Sequence, residues 1–178
     1  MKEPAGRRRE YARISVHHPA WVAFRAVDDC VRATVLRDPL KRTRSHLKQL
    51  AANNHPAETT EDAWRDPEIR SRMTNYMCQI FSDPGLAAES HSPSNADDAA
   101  EAAAIATLAR YDVVGVTNDL ESFTERLAVA SNRRIESPGR MNQARIDGPP
   151  APWLAAEIKE ATRHDYALYD YARTLSLS

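Results

Sequence analysis

The chain has 178 residues, enough for one domain with a packed core and too few for two domains of ordinary size. Its 24 basic side chains nearly balance its 25 acidic ones, so the overall charge does not indicate a protein that binds nucleic acid or a membrane surface. The two cysteines, Cys30 and Cys78, form neither a zinc pattern nor a disulfide scaffold, which favours a reducing, cytoplasmic location.

Residues 1–13 are polar and basic and predict a flexible arm ahead of one domain over residues 14–178. No apolar segment typical of a signal peptide follows this arm, and no long apolar run occurs later, so we expect no membrane span. His17 and His18 are adjacent and have no carboxylate or cysteine at ligand spacing, so we expect no metal there. Either histidine could act as a general base or simply lie hydrogen-bonded at the surface.

The first clear strand signal is "CVRATVL", residues 30–36, which is rich in β-branched and apolar side chains. Asp38 can cap a following helix and Pro39 suits its first turn, so we predict a helix over about residues 39–52. Weaker strands could lie near residues 12–24.

Arg37 and Ser45 flank the start of that helix. Arg37 lies beyond the carboxyl end of the strand, where α/β proteins place ligand contacts, and Ser45 lies two turns further on. The two side chains could share one phosphate. Their spacing alone also allows an ordinary charged helix in which Arg37 pairs with a carboxylate or faces solvent.

The remaining elements alternate in a way that predicts an α/β fold with a parallel sheet. Asn118 and Glu121 have the spacing of a capping box before the fourth predicted helix, at 122–130. Only two strands are clear, fewer than a parallel sheet usually has. The predicted elements after residue 52 are a break at 53–62, helices at 67–81 and 97–111, a strand at 111–116, and helices at 122–130, 153–161 and 165–175.

Four segments, taken in order, resemble the PAPS-dependent carbohydrate sulfotransferases of the heparan 2-O-sulfotransferase-like family, where PAPS is 3′-phosphoadenosine 5′-phosphosulfate. "TVLRDPLKRTRSHL" at 34–47 resembles that family's 3′-phosphate motif, a strand ending in R-D-P before a helix that carries a serine. The segments similar to its later motifs are "MTNYMCQIFSD" at 73–83, "LARYDVVGVTNDLESFTERLAV" at 108–129 and "HDYALYDYAR" at 164–173. The ordered set is more specific than any single match.

The resemblance implies a P-loop-NTPase-like sulfotransferase fold with a short parallel sheet flanked by helices. It implies that Arg37 and Ser45 bind the 3′-phosphate, and that a histidine ahead of the strand, His18 first and His17 second, accepts the acceptor's proton. The expected reaction moves a sulfuryl group from PAPS to a hydroxyl of a carbohydrate or other small acceptor, without a metal. The expected partners are PAPS, its product PAP and that acceptor; a homo-oligomer is compatible with the sequence, and neither nucleic acid nor a membrane is expected.

The sequence also departs from the family. The family's first strand and basic loop, which hold the 5′-phosphosulfate, have no counterpart here, so we expect an N-terminally incomplete fold. "TND" at 117–119 replaces the family's T-E, and no G-x-x-x-x-G-K-[ST] or G-x-G-x-x-G loop occurs. We expect acceptor contacts in residues 53–73.

Two further hypotheses remain beside the enzyme. One is a non-catalytic remnant that keeps the 3′-phosphate half-site and serves binding or assembly through an exposed sheet edge. The other, weaker one is a helical protein that meets nucleic acid through the basic stripe of Lys41, Arg44 and Lys48, a pattern more typical of a solvated helix face.

Overall fold

The computed structural model describes residues 31–52, 59–82, 97–135 and 149–177. These residues form a mostly helical α/β arrangement with a short two-stranded parallel sheet. The predicted arm and the region of residues 12–24 lie outside them. The elements in chain order are β1 (Ala33–Leu36), α1 (Pro39–Ala52), α2 (Thr60–Arg65), α3 (Pro67–Met73), α4 (Tyr76–Ser82), α5 (Asp98–Leu108), β2 (Val113–Val116), α6 (Leu120–Ser131), α7 (Pro152–Ala161) and α8 (Arg163–Ser176).

The sheet brings the ends of two distant segments together. β1 pairs in parallel with β2, in a register that runs from Ala33 opposite Val113 to Leu36 opposite Val116. Beyond the last pair, the Thr117 N–H donates to the Leu36 carbonyl at 2.9 Å. Since the strands are parallel, both carboxyl ends lie at the same edge, and the helices that follow them, α1 and α6, begin there.

The turn between β1 and α1 follows the predicted capping pattern. The Asp38 carboxylate accepts the Lys41 N–H at 2.9 Å, and the Asp38 carbonyl accepts the Arg42 N–H at 2.8 Å. Pro39, the first helical residue, is buried and has no amide hydrogen to satisfy. The predicted helix over residues 39–52 is confirmed.

The core of the described residues consists of two hydrophobic clusters. The first surrounds the sheet and includes Leu36 and Leu168, and the second includes Leu47 of α1 and Trp64 of α2. The other buried members of the first are Met77, Cys78, Phe81, Ala104, Leu108, Val114, Val116, Tyr169 and Ala172, and those of the second are Ala63, Ile69, Met73, Leu154 and Ile158. α1 packs on the second cluster along its length, through Leu40, Leu47 and Leu50, while β1 just before it contributes Leu36 to the first.

The segment predicted as one helix at 67–81 forms two helices. α3 ends at Met73 and α4 begins at Tyr76, and Asn75 between them has φ 45°. Asparagine tolerates this left-handed conformation better than most residues, so "TN" allows a sharp turn within an otherwise helical pattern. Asn75 is fixed from both sides: its N–H donates to the Ala161 carbonyl at 3.2 Å, and its side-chain oxygen accepts the His164 N–H at 3.1 Å.

Two local predictions were wrong. Helix α2 begins inside the region predicted as a break, where Thr59 caps it by accepting the Asp62 N–H at 3.1 Å. The cap of α6 is Asp119, which accepts the Ser122 N–H at 3.3 Å, and the predicted Asn118 does not fill that role. Either residue type can cap a helix, so the backbone path decided between neighbours.

Candidate functional site

Arg37 stands at the shared carboxyl edge of the two strands, directly after β1 and beside the segment that follows β2. The side chain is half-buried. Its guanidinium has no hydrogen bond or ion pair with another described residue, and the interaction it does have is repulsion from Arg42. A guanidinium without a carboxylate at the ends of parallel strands is the expected feature of an anion site.

Ser45 lies on α1, the helix that follows the turn containing Arg37. It is half-buried and lies on the side of α1 shared with Lys41, away from the buried Thr43 and Leu47. Its hydroxyl has no partner among the described residues. Ser45 is about 9 Å along the axis from the start of α1, so an arginine that shares a ligand with it must fold back along the helix.

The first amides of α1 are all engaged within the protein. Lys41 and Arg42 donate to Asp38, and the Leu40 N–H meets the Tyr166 hydroxyl of α8. A phosphate at this helix end would therefore be held by side chains, with the helix dipole as an added attraction, and not by open backbone donors. The site thus differs from the usual one at a helix start, where free backbone amides contact the anion.

Two tyrosines of α8, Tyr166 and Tyr169, lie near Asp38 in the turn that follows Arg37. Burial raises the pKa of Tyr166 and of Tyr169, and the negative charge of Asp38 raises both further. Their hydroxyls therefore stay protonated and uncharged near neutral pH, so neither tyrosine adds a negative charge that would repel a phosphate.

A second arginine, Arg42, lies in the first turns of α1. Its guanidinium carbon lies 3.8 Å from the centre of the Tyr76 ring, and its Nη1 is buried with no hydrogen-bond partner. Burial lowers the pKa of Arg42, while attraction to Asp165 opposes that shift and repulsion by Arg37 adds to it. Arg42 therefore interacts with both the surface arginine and a carboxylate in the core.

Asp165 is that carboxylate, and it is 1% exposed. Its Oδ1 accepts the Cys78 N–H at 2.8 Å, and its Oδ2 has no hydrogen-bond partner. Burial raises the pKa of Asp165 to about 6, although the Cys78 amide and the charge of Arg42 act in the opposite direction. The same surroundings raise the pKa of the Cys78 thiol, so this cysteine stays protonated and unreactive.

A buried histidine, His164, precedes Asp165 in the chain and connects α8 to α5. The His164 Nδ1 lies 2.7 Å from a carboxylate oxygen of Glu101, and the Arg163 Nε donates to the His164 Nε2 at 3.3 Å. These two contacts fix the orientation of the ring, with Nδ1 toward Glu101 and Nε2 toward Arg163. All four segments that carry the resemblance are thus neighbours in the fold. Tyr76 of α4 lies against Arg42 of α1, Cys78 of α4 bonds to Asp165 of α8, and β2 pairs with β1.

The structure describes only two of the four residues that the sequence predicts for the site. Arg37 and Ser45 lie on one turn and helix, whereas His17 and His18 lie outside the described residues. Arg42 and Asp165 were not predicted as site residues, although they lie inside the quoted segments "TVLRDPLKRTRSHL" and "HDYALYDYAR". Within the described residues no group of three or more histidines, cysteines, aspartates or glutamates could hold a metal ion.

A separate groove of about 580 Å³ lies at the opposite end of β2, lined by Tyr111, Val113 and Arg126 among others. Arg126 is a structural residue there: its guanidinium donates to the Val114 carbonyl at 2.6 Å and to the Leu175 carbonyl at 3.2 Å. These bonds join α6, β2 and the end of α8. The groove is therefore distinct from the Arg37 site.

No protein-family model, no curated protein and no solved structure matches this chain. Of the helices in the described ranges, none is both long enough and apolar enough to cross a membrane. The site itself must therefore carry any functional proposal.

Proposed function

We propose that this chain is a sulfotransferase-family domain with a P-loop-NTPase-like sulfotransferase fold, and that it transfers a sulfuryl group from PAPS to a hydroxyl of a carbohydrate or other small acceptor. The observation that carries the proposal is the position of Arg37. It lies at the carboxyl edge of two parallel strands, at the head of a capped helix, with no protein acceptor for its guanidinium among the described residues.

In this proposal Arg37 and Ser45 bind the 3′-phosphate of the nucleotide. The planar guanidinium offers two parallel N–H donors that match two phosphate oxygens, and the Ser45 hydroxyl offers a third donor. Because Asp38 and Tyr166 occupy the first amides of α1, these side chains supply the directional contacts.

The chemistry assigned to the domain is an in-line transfer. The acceptor oxygen bonds to sulfur as the bond from sulfur to the 5′-phosphate oxygen of PAPS breaks, which leaves PAP. The acceptor proton passes to a histidine, His18 first and His17 second, since imidazole titrates near neutral pH. This assignment rests on the sequence resemblance alone, because both residues lie outside the described ranges.

Calorimetry with adenosine 3′,5′-bisphosphate tests the binding step. We expect the protein to bind it, and Arg37→Ala to weaken binding by about 100-fold, since two charge-assisted hydrogen bonds are lost. Ser45→Ala should weaken it by about tenfold, the value of one such bond. Arg72→Ala removes an exposed arginine of α3 that pairs with Glu68 and should leave affinity unchanged. Absent heat with the wild-type protein, or equal binding by Arg37→Ala, contradicts the site.

The alternative is a binding or assembly module without turnover. Its supporting observation is that Ala33, Thr34 and Val35 of β1 are only half-buried, in a sheet that has two strands among the described residues. Transfer of labelled sulfate from PAPS to a mixture of hydroxyl acceptors separates the two hypotheses. Transfer that His18→Ala abolishes supports the enzyme, whereas nucleotide binding without transfer supports the module.

A further inference from the structure

The outer edge of β1 has no partner within the described ranges. On the inner side, the carbonyls of Arg32 and Leu36 accept N–H groups of the β2 segment at 3.0 and 2.9 Å. Successive residues of a strand direct their backbone groups to opposite sides, so those of Ala33 and Val35 point away from β2. No described residue bonds to these N–H and C=O groups. This edge can therefore accept one more strand.

The open edge is partly shielded from solvent. Ala33, Thr34 and Val35 are half-buried, and every residue of β2 beside them is buried. A backbone group that is shielded from water and has no partner costs free energy, so such groups are almost always paired in folded proteins. An added strand would satisfy them together through main-chain hydrogen bonds.

The chain provides a suitable segment just ahead of this edge. The described residues begin at Val31, two positions before β1, and residues 1–30 precede them. Within that length, "AWVAF" at 20–24 is an unbroken apolar segment of strand length with aromatic and β-branched members. Pro19 precedes it, and proline fits the first position of a strand because it lacks an N–H. The connection back to β1 includes "VDDC" at 27–30, whose two aspartates favour a turn.

We propose that residues 20–24 form a strand antiparallel to β1 along this outer edge, with Val22 opposite Val35 and Phe24 opposite Ala33. In both facing pairs each residue donates its N–H to the other, which satisfies the groups that β1 leaves open. A segment that is apolar on both faces fits this position, because helices pack on both faces of the sheet at β2.

The pairing has a consequence at each end of the new strand. At one end, residues 27–30 become a four-residue connection, a common length for a hairpin loop. At the other, the chain ahead of residue 20 passes the carboxyl end of β1, so His18 reaches the edge at which Arg37 stands. The proposed general base and the proposed phosphate ligand would then lie at one edge. The pairing itself does not depend on nucleotide binding, so either proposal can fail without the other.

Amide hydrogen exchange of the full wild-type chain tests the pairing. We expect the Ala33 and Val35 amides to exchange at least about 100-fold more slowly than in an unfolded chain. In the same protein, a nuclear Overhauser effect should join the α-protons of Ala23 and Thr34, which face each other as a non-hydrogen-bonded pair with Cα atoms about 4.5 Å apart. Unprotected amides at Ala33 and Val35, or the absence of this contact, overturn the proposal.

Dilution distinguishes the possible occupants of the edge. Protection that is unchanged on about tenfold dilution supports pairing within one chain. Protection that falls on dilution shows that a second copy or another molecule fills the edge, and this overturns the proposal.

Two proline variants test the register. Val22→Pro removes the N–H that donates to Val35 and should lower the protection of the Val35 amide at least about tenfold. Ala23→Pro, the matched control, removes an N–H that points outward from the edge of the sheet and should leave that protection unchanged. The Val113 amide, which donates to the Arg32 carbonyl at 3.0 Å, reports whether the sheet remains folded in both variants. Equal effects of the two variants, or a loss in Ala23→Pro alone, overturn the pairing. If Val22→Pro unfolds the sheet, the exchange and the α-proton contact of the wild type decide the question.

Discussion

Single residues at the strand ends show which parts of the site follow from local sequence. Asp38 and Pro39 were predictable because capping depends on residues three or four positions apart, and the structure confirms both. The choice of Asp119 over Asn118 was not predictable, since both side chains can cap and only the backbone path distinguishes them. The relation between Arg42 and Asp165 joins residues far apart in the chain, so no local pattern encodes it.

Gly115 of β2 packs closely against Phe123 of α6. A Cβ at this position would lie 2.6 Å from Cδ2 and 2.8 Å from Cβ of Phe123 on α6, atoms that cannot move without shifting the helix. Relief of glycine's flexibility would otherwise add about 0.5–1 kcal/mol, but such overpacking costs about 1–3 kcal/mol. We therefore expect Gly115→Ala to lower the free energy of unfolding in urea. An increase would show that α6 packs less closely on β2.

Elements were predicted best where a long periodic pattern met clear caps. α1, α5 and α6 lie where the sequence predicts helices, and the two strands end where predicted but begin three and two residues later. α2 was missed because its six residues are too few for a periodic signal, although Thr59 and Asp62 have capping spacing. The split between α3 and α4 depends on Asn75, whose contacts come from the distant α7–α8 junction.

Two substitutions at neighbouring positions test which residue caps the N-terminus of α6. Asp119→Ala removes the acceptor for the Ser122 N–H and should lower the free energy of unfolding by about 1 kcal/mol. Asn118→Ala, the matched control, changes an exposed neighbour that does not cap and should change stability by less than about 0.5 kcal/mol. Urea unfolding of the two variants measures both values. A larger loss of stability for Asn118→Ala than for Asp119→Ala would show that Asn118 caps α6.

At the scale of the whole molecule, the α/β class was predictable and the packing of its parts was not. Alternating strand and helix signals predicted a parallel sheet, and the described residues contain one with two strands. The sequence could not show that α8 would bring Asp165, Tyr166 and Tyr169 to the start of α1, because that contact joins opposite ends of the chain. The specific sulfotransferase fold remains a proposal.

The buried Asp165 predicts how global stability depends on pH. Its pKa of about 6 in the folded protein exceeds its ordinary value of 3.8, so the folded state holds this proton more tightly than the unfolded state. The stability that this group contributes is therefore present below pH 4 and is lost as the pH rises to about 6, by about 3 kcal/mol in all. Asp165→Asn has no carboxyl to titrate here. Between pH 4 and 7 its free energy of unfolding, relative to that of the wild type, should therefore rise by about 3 kcal/mol. Asp170→Asn, at an exposed position, should show no such change, and a flat difference for Asp165→Asn would mean that Asp165 is not strained by burial.

Recognition of a 3′-phosphate by Arg37 can be tested with two ligands and two proteins. Affinities for adenosine 3′,5′-bisphosphate and adenosine 5′-phosphate are measured by calorimetry for the wild type and for Arg37→Ala. We expect the wild type to prefer the bisphosphate by about 1,000-fold and Arg37→Ala to keep only about tenfold, the part that Ser45 supplies, because the bidentate contact to the extra phosphate is lost. If Arg37→Ala keeps the full preference, or if the wild type has none, the account of this site is contradicted.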